Sequence, residues 1–414
     1  MSLVTPRAAV VLAIACGCAS SDTGPSASTN GASSGASAAT SGATTGAAGS
    51  GLGGSSGGAG GSPADASPSE ANADAGLAGE TSSRPMVMSL ISRGVPAFAS
   101  GSSNTAVGPE KSNDDQTGST WLADKLPAWI AYDLSGVPVA QRQRILIAFY
   151  CPHAGAYLLD NKNPGDASPI DYAIDINAAP GGGAAPTAGW KNVATELGNT
   201  RSARQHLADL AGGNWVRVSV TKATNPAGAS FDLDVHSAPD GASDSWLLMG
   251  DSITHISTMY AFSDLPRLVQ QRVAARWPAV ISAAIGGTNT GTALPVIDET
   301  MQYFPGRFVV LAYGTNNHAR DFDMEPLIQK VLVAGKIPVV PHVPWSDTAN
   351  IQTDGPLMNQ AIDALYEKYP QILRGPDFWS VFEGRTDLIP SGDIHPNQAG
   401  QEELRKQWAT AMTQ

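Results

Sequence analysis

Hydrophobic and polar positions along the chain follow two different rhythms. Between residues 86 and 240, short runs rich in Val, Ile, Trp and Tyr are cut by Gly, Pro, Asn and Asp clusters. Trp129–Leu134, Ile145–Tyr150, Tyr172–Ile176 and Trp215–Val220 are runs of this kind, with apolar and polar positions alternating at Ile174–Ile176 and Val216–Val220. Alternation with period two marks a strand covered on one face, and closely spaced short strands predict an all-β sandwich or jelly roll. From residue 241 to 414 the rhythm changes. Trp246–Met249, Val280–Ala284, Phe308–Ala312 and Ile337–Pro341 read as buried strands, and Leu265–Trp277, Glu325–Ala334 and Gly355–Tyr369 as helices. Strands separated by helices predict a parallel sheet with helices on both faces, a three-layer α/β domain.

Ahead of both lies sequence of another kind. Residues 19–85 are dominated by Gly, Ala and Ser, which cannot bury enough apolar surface to offset the entropy of ordering, and so read as a disordered linker. Residues 1–18 place Arg7 before the apolar run Ala8–Ala15 and then Cys16-Gly17-Cys18, the layout of a secretory signal peptide. The pattern resembles a bacterial lipoprotein signal, in which a Cys is lipidated and becomes the mature amino terminus. Either Cys16 or Cys18 suits that role. Neither is followed by Asp, so the resemblance implies a lipid anchor at the outer membrane or cell surface.

Composition removes several classes of function. A net charge of −12 with no basic stripe argues against nucleic acid, whose binding rests on Lys and Arg. No apolar run reaches the ~18–20 residues of a membrane span. Three Cys make neither a disulfide scaffold nor a zinc pattern, and Cys151 reads as a buried, free thiol. No motif calls for a metal or another cofactor.

Candidate chemistry concentrates in the α/β part, where sites form at the carboxyl ends of strands. Gly250-Asp251-Ser252 follows the first strand and places a Ser on a tight turn at a helix amino terminus. Ile285-Gly286-Gly287 follows the second strand, and Gly314-Thr315-Asn316-Asn317 the third. Gly392-Asp393-Ile394-His395 lies in a late loop. In this order the four blocks resemble those of the SGNH (GDSL-like) hydrolase superfamily, which implies a flavodoxin-like parallel sheet over residues 241–414 and serine-esterase chemistry. Carried over by position, the resemblance makes Ser252 the nucleophile and His395 the general base and acid. Gly287, rather than Gly286, and Asn316 would form the oxyanion hole with the N–H of Ser252. His255, three residues after Ser252, is the alternative base; His318 and His342 could reach substrate from strand ends.

Two departures stand out. The family places Asp three residues before the His, a position held here by Gly392, with Asp393 only two before. Either Asp393 still reaches the imidazole, or a Ser–His dyad is oriented by a backbone carbonyl. The family also has Asp where this chain has Asn317.

In the β-rich part, Asn113-Asp114-Asp115, Thr120-Trp121, Trp129–Leu134, Tyr172-Ala173-Ile174, Trp190 and Trp215-Val216-Arg217-Val218 resemble a discoidin-type, galactose-binding-like jelly roll. The resemblance implies possible polysaccharide binding, although Trp121, Trp129, Trp190 and Trp215 each read first as core. Together the two parts imply a secreted esterase removing short acyl groups, with acetyl the first expectation, from a carbohydrate or other small ester. The alternatives are a lysophospholipase or thioesterase of the same superfamily, and a non-catalytic carbohydrate-binding surface protein.

Overall fold

The computed structural model of the chain describes residues 87–116, 119–151, 167–259 and 264–414. The expected signal peptide and linker, residues 1–85, lie outside the described residues. The described residues fall within one compact unit.

Its first half is built from β1 (Ser89–Leu90), β2 (Ala97–Ala99), β3 (Trp121–Leu122), β4 (Ala128–Asp133), β5 (Arg144–Tyr150), β6 (Pro169–Asn177), β7 (Lys191–Glu196), β8 (Ala203–Asp209), β9 (Trp215–Ala223) and β10 (Ser230–Ser237). They form two five-stranded antiparallel sheets, β1-β10-β5-β8 with β3 beside β10, and β2-β4-β9-β6-β7. Alternate residues of each strand face the other sheet, so Ile130 and Tyr132, Ile145 and Ile147, Val216 and Val218, and Phe231 and Leu233 fill the space between.

Trp121 and Trp215 are fully buried, as the core reading expects. Trp129 and Trp190 are not core residues: both are half-buried. On β4 the inward positions belong to Ala128, Ile130 and Tyr132, which leaves Trp129 on the outer face. Trp190 precedes β7 and lies against the guanidinium of Arg217, 4.2 Å away, while its indole N–H donates to the Pro186 carbonyl. Cys151 is buried and, among the described residues, forms no disulfide.

The second half runs through β11 (Ser245–Gly250), α1 (Ser252–Met259), α2 (Asp264–Arg272), β12 (Ala279–Ser282), α3 (Thr290–Ala293), α4 (Ile297–Tyr303) and β13 (Phe308–Ala312). It continues with α5 (Glu325–Val333), β14 (Ile337–Val340), α6 (Ala349–Lys368), β15 (Leu373–Arg374), α7 (Phe378–Phe382) and α8 (Gln398–Thr413). The strands form one parallel sheet in the order β12-β11-β13-β14-β15. The chain moves outward from β11 to β12 and then returns to the other side of β11 for β13. That reversal opens a crevice outside the carboxyl ends of β11 and β13.

Two helices depart from expectation. The helix expected over Leu265–Trp277 ends at Arg272, because the N–H of Trp277 donates to the Met88 carbonyl and its ring packs beneath the Arg93 guanidinium, 4.1 Å from the centroid. The helix expected from Gly355 begins at Ala349 and carries Pro356 inside it. Gly355 is buried there against Trp379, whose ring would lie 2.3 Å from any Cβ.

The halves share a packed boundary. Ala148 and Tyr150, on the outer face of β5, belong to the same apolar cluster as Trp246, Val280 and Phe304. Arg276 donates to both oxygens of the buried Asp244 carboxylate, at 2.9 and 2.8 Å.

Candidate active site

Each block found in sequence ends up beside the crevice. β11 is buried along its whole length, and the chain turns sharply after Gly250 so that Ser252 is the first residue of α1. The amino end of that helix directs its partial positive charge at the Ser252 hydroxyl. The turn is held by Asp251, whose buried carboxylate accepts the Ile253 N–H at 3.0 Å. Burial pushes the Asp251 carboxyl up to about 6, against hydrogen bonds from the Ile253 N–H and the Thr315 side chain that pull it down.

The Ser252 hydroxyl meets Nε2 of His395 at 2.9 Å. On the other side of the ring, Nδ1 lies 3.1 Å from Oδ1 of Asp393. A carboxylate only accepts, so Nδ1 carries the hydrogen and Nε2 is left with the lone pair that receives the serine proton. Of the two ways of orienting the imidazole left open by the sequence, the one seen is the carboxylate. Asp393 reaches the ring from two residues away because the turn curls back on itself. Its Oδ1 also accepts the N–H groups of Ile394 at 2.7 Å and His395 at 3.0 Å. Burial pushes the Asp393 carboxyl up, but these hydrogen bonds and the imidazole outweigh it and hold it below the ordinary carboxylate range.

Gly286 and Gly287 run past the serine: a Cβ on Gly286 would stand 3.7 Å from that of Ser252. Gly287 has φ +77°, a backbone conformation that other residues adopt only with strain. The Asn316 amide donates to the Thr288 carbonyl at 3.0 Å, which fixes it beside this loop and leaves its second hydrogen for another acceptor. Among the described residues, the N–H groups of Ser252 and Gly287 meet no protein acceptor.

Asn317 is structural. Buried, it donates to Thr290 Oγ1 at 3.0 Å and accepts the Thr290 N–H at 3.3 Å. The alternative base is placed elsewhere: Nδ1 of His255 donates to the Ala284 carbonyl at 3.2 Å. His318 pairs with Asp354 at 2.8 Å, and His342 bridges Asp377 and Asp363 at 3.0 and 3.2 Å. Among the described residues, no group of three His, Cys, Asp or Glu is arranged to hold a metal ion.

Two contributors carried no signal in the sequence. Ser346 and Asp347, in the loop after β14, reach across to the His395 turn: Ser346 Oγ donates to the Asp393 carbonyl at 2.8 Å, and Asp347 accepts from Ser391 and Gly392. Their loop has no motif, and the contact spans more than forty residues.

Comparison with known proteins agrees with this geometry. Residues 248–403 match the model of the GDSL-like lipase/acylhydrolase family. No curated protein matches the chain. Among solved structures, the psychrotrophic esterase EstA from Pseudoalteromonas sp. is 18% identical, covering 41% of this chain and 96% of that one, with a TM-score of 0.34. The lipase/acylhydrolase from Enterococcus faecalis is 20% identical over 41% of this chain and 95% of that one, also at 0.34. Chitosan-binding module 1 of a chitosanase/glucanase from Paenibacillus sp. IK-5 is 17% identical, covering 35% of this chain and 97% of that one, at 0.27. With its four blocks gathered at one crevice, the stretch 248–403 is a GDSL-like lipase/acylhydrolase domain, and the chain that carries it is an ester-bond hydrolase.

Proposed function

We propose that the protein removes short acyl groups, acetyl foremost, from a carbohydrate through an acyl-enzyme on Ser252. The carrying observation is the continuous hydrogen-bonded line from Ser252 Oγ through His395 to Asp393. In the first step Ser252 Oγ attacks the ester carbonyl carbon and its proton passes to Nε2 of His395. The carbonyl oxygen, now an oxyanion, takes hydrogen bonds from the N–H groups of Ser252 and Gly287 and from the Asn316 amide. His395 returns the proton to the departing alcohol oxygen as the C–O bond breaks. Water then attacks the acyl group, giving its proton to His395, and the acid leaves as Ser252 is reprotonated.

One feature supports the narrower reading. The carbohydrate part is supported by the sandwich in the same compact unit, where Trp129 and Trp190 present partly exposed rings suited to stacking on sugar faces. The amino-terminal sequence favours placement at the cell envelope through a lipid anchor.

Release of p-nitrophenol from acetate, butyrate and octanoate esters tests the reading. The acetate ester is expected to be the best of the three, and Ser252→Ala or His395→Ala is expected to lower its kcat by about 10⁴-fold or more. Octanoate turnover several times faster than acetate would instead favour the lipolytic alternative. No turnover of any ester, together with polysaccharide binding that survives Ser252→Ala, would favour a binding protein.

A further inference from the structure

The turn that carries Asp393 and His395 stands at the surface. Ser391, Gly392 and Asp393 are exposed, Gly392 has φ +79°, and within the turn the Asp393 N–H donates to the Pro390 carbonyl at 3.0 Å. One oxygen, Asp393 Oδ1, takes two backbone N–H groups as well as the imidazole. Asp347 grips the outer side of that turn. Its Oδ1 accepts the Gly392 N–H at 2.7 Å and its Oδ2 accepts the Ser391 hydroxyl at 2.5 Å. The preceding residue, Ser346, is buried and holds the Asp393 carbonyl.

We infer that Asp347 is a positioning residue for the Ser252–His395–Asp393 line, clamping residues 391–393 so that an Asp only two residues before the His can orient it. This rests on the catalytic reading proposed above. Asp347 touches neither Ser252 nor His395 in the hydrogen-bond network and acts through Asp393. Hydrogen bonds from Ser391 and Gly392 hold its own carboxyl below the ordinary range, so the clamp stays ionised wherever the enzyme is folded and assayed near neutrality.

The test is a double-mutant cycle on the full chain with p-nitrophenyl acetate: wild type, Asp347→Ala, Asp393→Asn and the pair. Asp347→Ala is expected to lower kcat about 10- to 100-fold with KM nearly unchanged, the cost of a base displaced by about an ångström. In the Asp393→Asn background the same substitution is expected to change kcat less than about twofold, because the contact it serves is already gone. Asp347→Asn, which keeps one acceptor oxygen, should fall between. An equal loss in both backgrounds, a loss borne by KM instead of kcat, or kcat within twofold of wild type would overturn the role of Asp347 while leaving the catalytic reading intact. Wild-type rates in Ser252→Ala or His395→Ala would overturn both.

Discussion

Residues 2.9 Å apart in space are 143 positions apart in sequence where Ser252 meets His395, and the tautomer of that histidine is set by a carboxylate two residues before it in the chain. Hydrogen bonds hold the Asp393 carboxyl below the ordinary Asp range, so the carboxylate that orients the imidazole stays charged near neutrality. The Asn316 amide supplies the side-chain donor of the proposed oxyanion hole. Replacing it with Ala should lower kcat on the acetate ester about 10²- to 10³-fold with little change in KM, because the lost hydrogen bond strengthens only as charge develops on the carbonyl oxygen. Steady-state kinetics on that ester checks it, and a rise in KM at constant kcat would instead make Asn316 a ground-state contact. At this scale the sequence was readable for residues whose role fixes their type and place: a Ser at a strand-to-helix turn, a Gly pair, an Asn and a late His. Ser346 and Asp347 were not readable, because a hydrogen bond between two loops leaves no periodicity and no fixed spacing.

Elements were legible in proportion to how much of their pattern comes from their own burial. Phe308–Ala312 is buried at four of its five positions and the strand falls where the apolar run predicts. The start of α6 was hidden by Gly355-Pro356, since a Gly-Pro pair ordinarily marks a boundary; here Trp379 fills the space that the glycine leaves open. The end of α2 was hidden because Trp277 is apolar for a reason unrelated to the helix, its place under Arg93 at the boundary between the halves. β10 carries another feature that alternation alone does not explain. Phe231, Leu233 and Val235 face the sandwich core, while Asp232, Asp234 and His236 face the other way and are nonetheless buried. Their partners across the ladder are Tyr150, Ala148 and Leu146 of β5. Burial pushes the Asp234 carboxyl up to about 7, although Arg93 pulls it down, and burial pushes Asp232 up as well, with Asp234 adding to the effect. A carboxyl whose pKa is raised by folding stabilises the native state below its unfolded value, near 4, and loses that contribution as pH rises through the folded value. The contribution of Asp234 to thermal stability is therefore expected to decline between about pH 4 and about pH 7, opposed by His236, which burial lowers to about 4. Asp234→Asn should flatten that decline and raise the midpoint at pH 8, as read by thermal melts across the range. A steeper decline in the variant would show that the ionised carboxylate is the native, stabilising form.

For the whole molecule, the boundary between the halves explains why composition separated the two rhythms so well yet said nothing about how they meet. Ala148 and Tyr150 look like ordinary strand residues, but they complete the apolar cluster of the α/β half. Arg201 of the sandwich pairs with Glu299 of α4 at 3.0 Å across the same boundary. The sandwich is thus part of the enzyme's packed body, and whatever it binds is held at a fixed place relative to the crevice that contains Ser252. The most direct test of the central claim is to trap the acyl-enzyme. The protein would be quenched in acid during turnover of p-nitrophenyl acetate and the acetylated position mapped by peptide mass spectrometry. The expected result is one acetyl group on the peptide containing Ser252, absent from Ser252→Ala and accumulating in His395→Ala only at a strongly reduced rate. An acetyl group on another residue, or turnover that persists in Ser252→Ala, would contradict it.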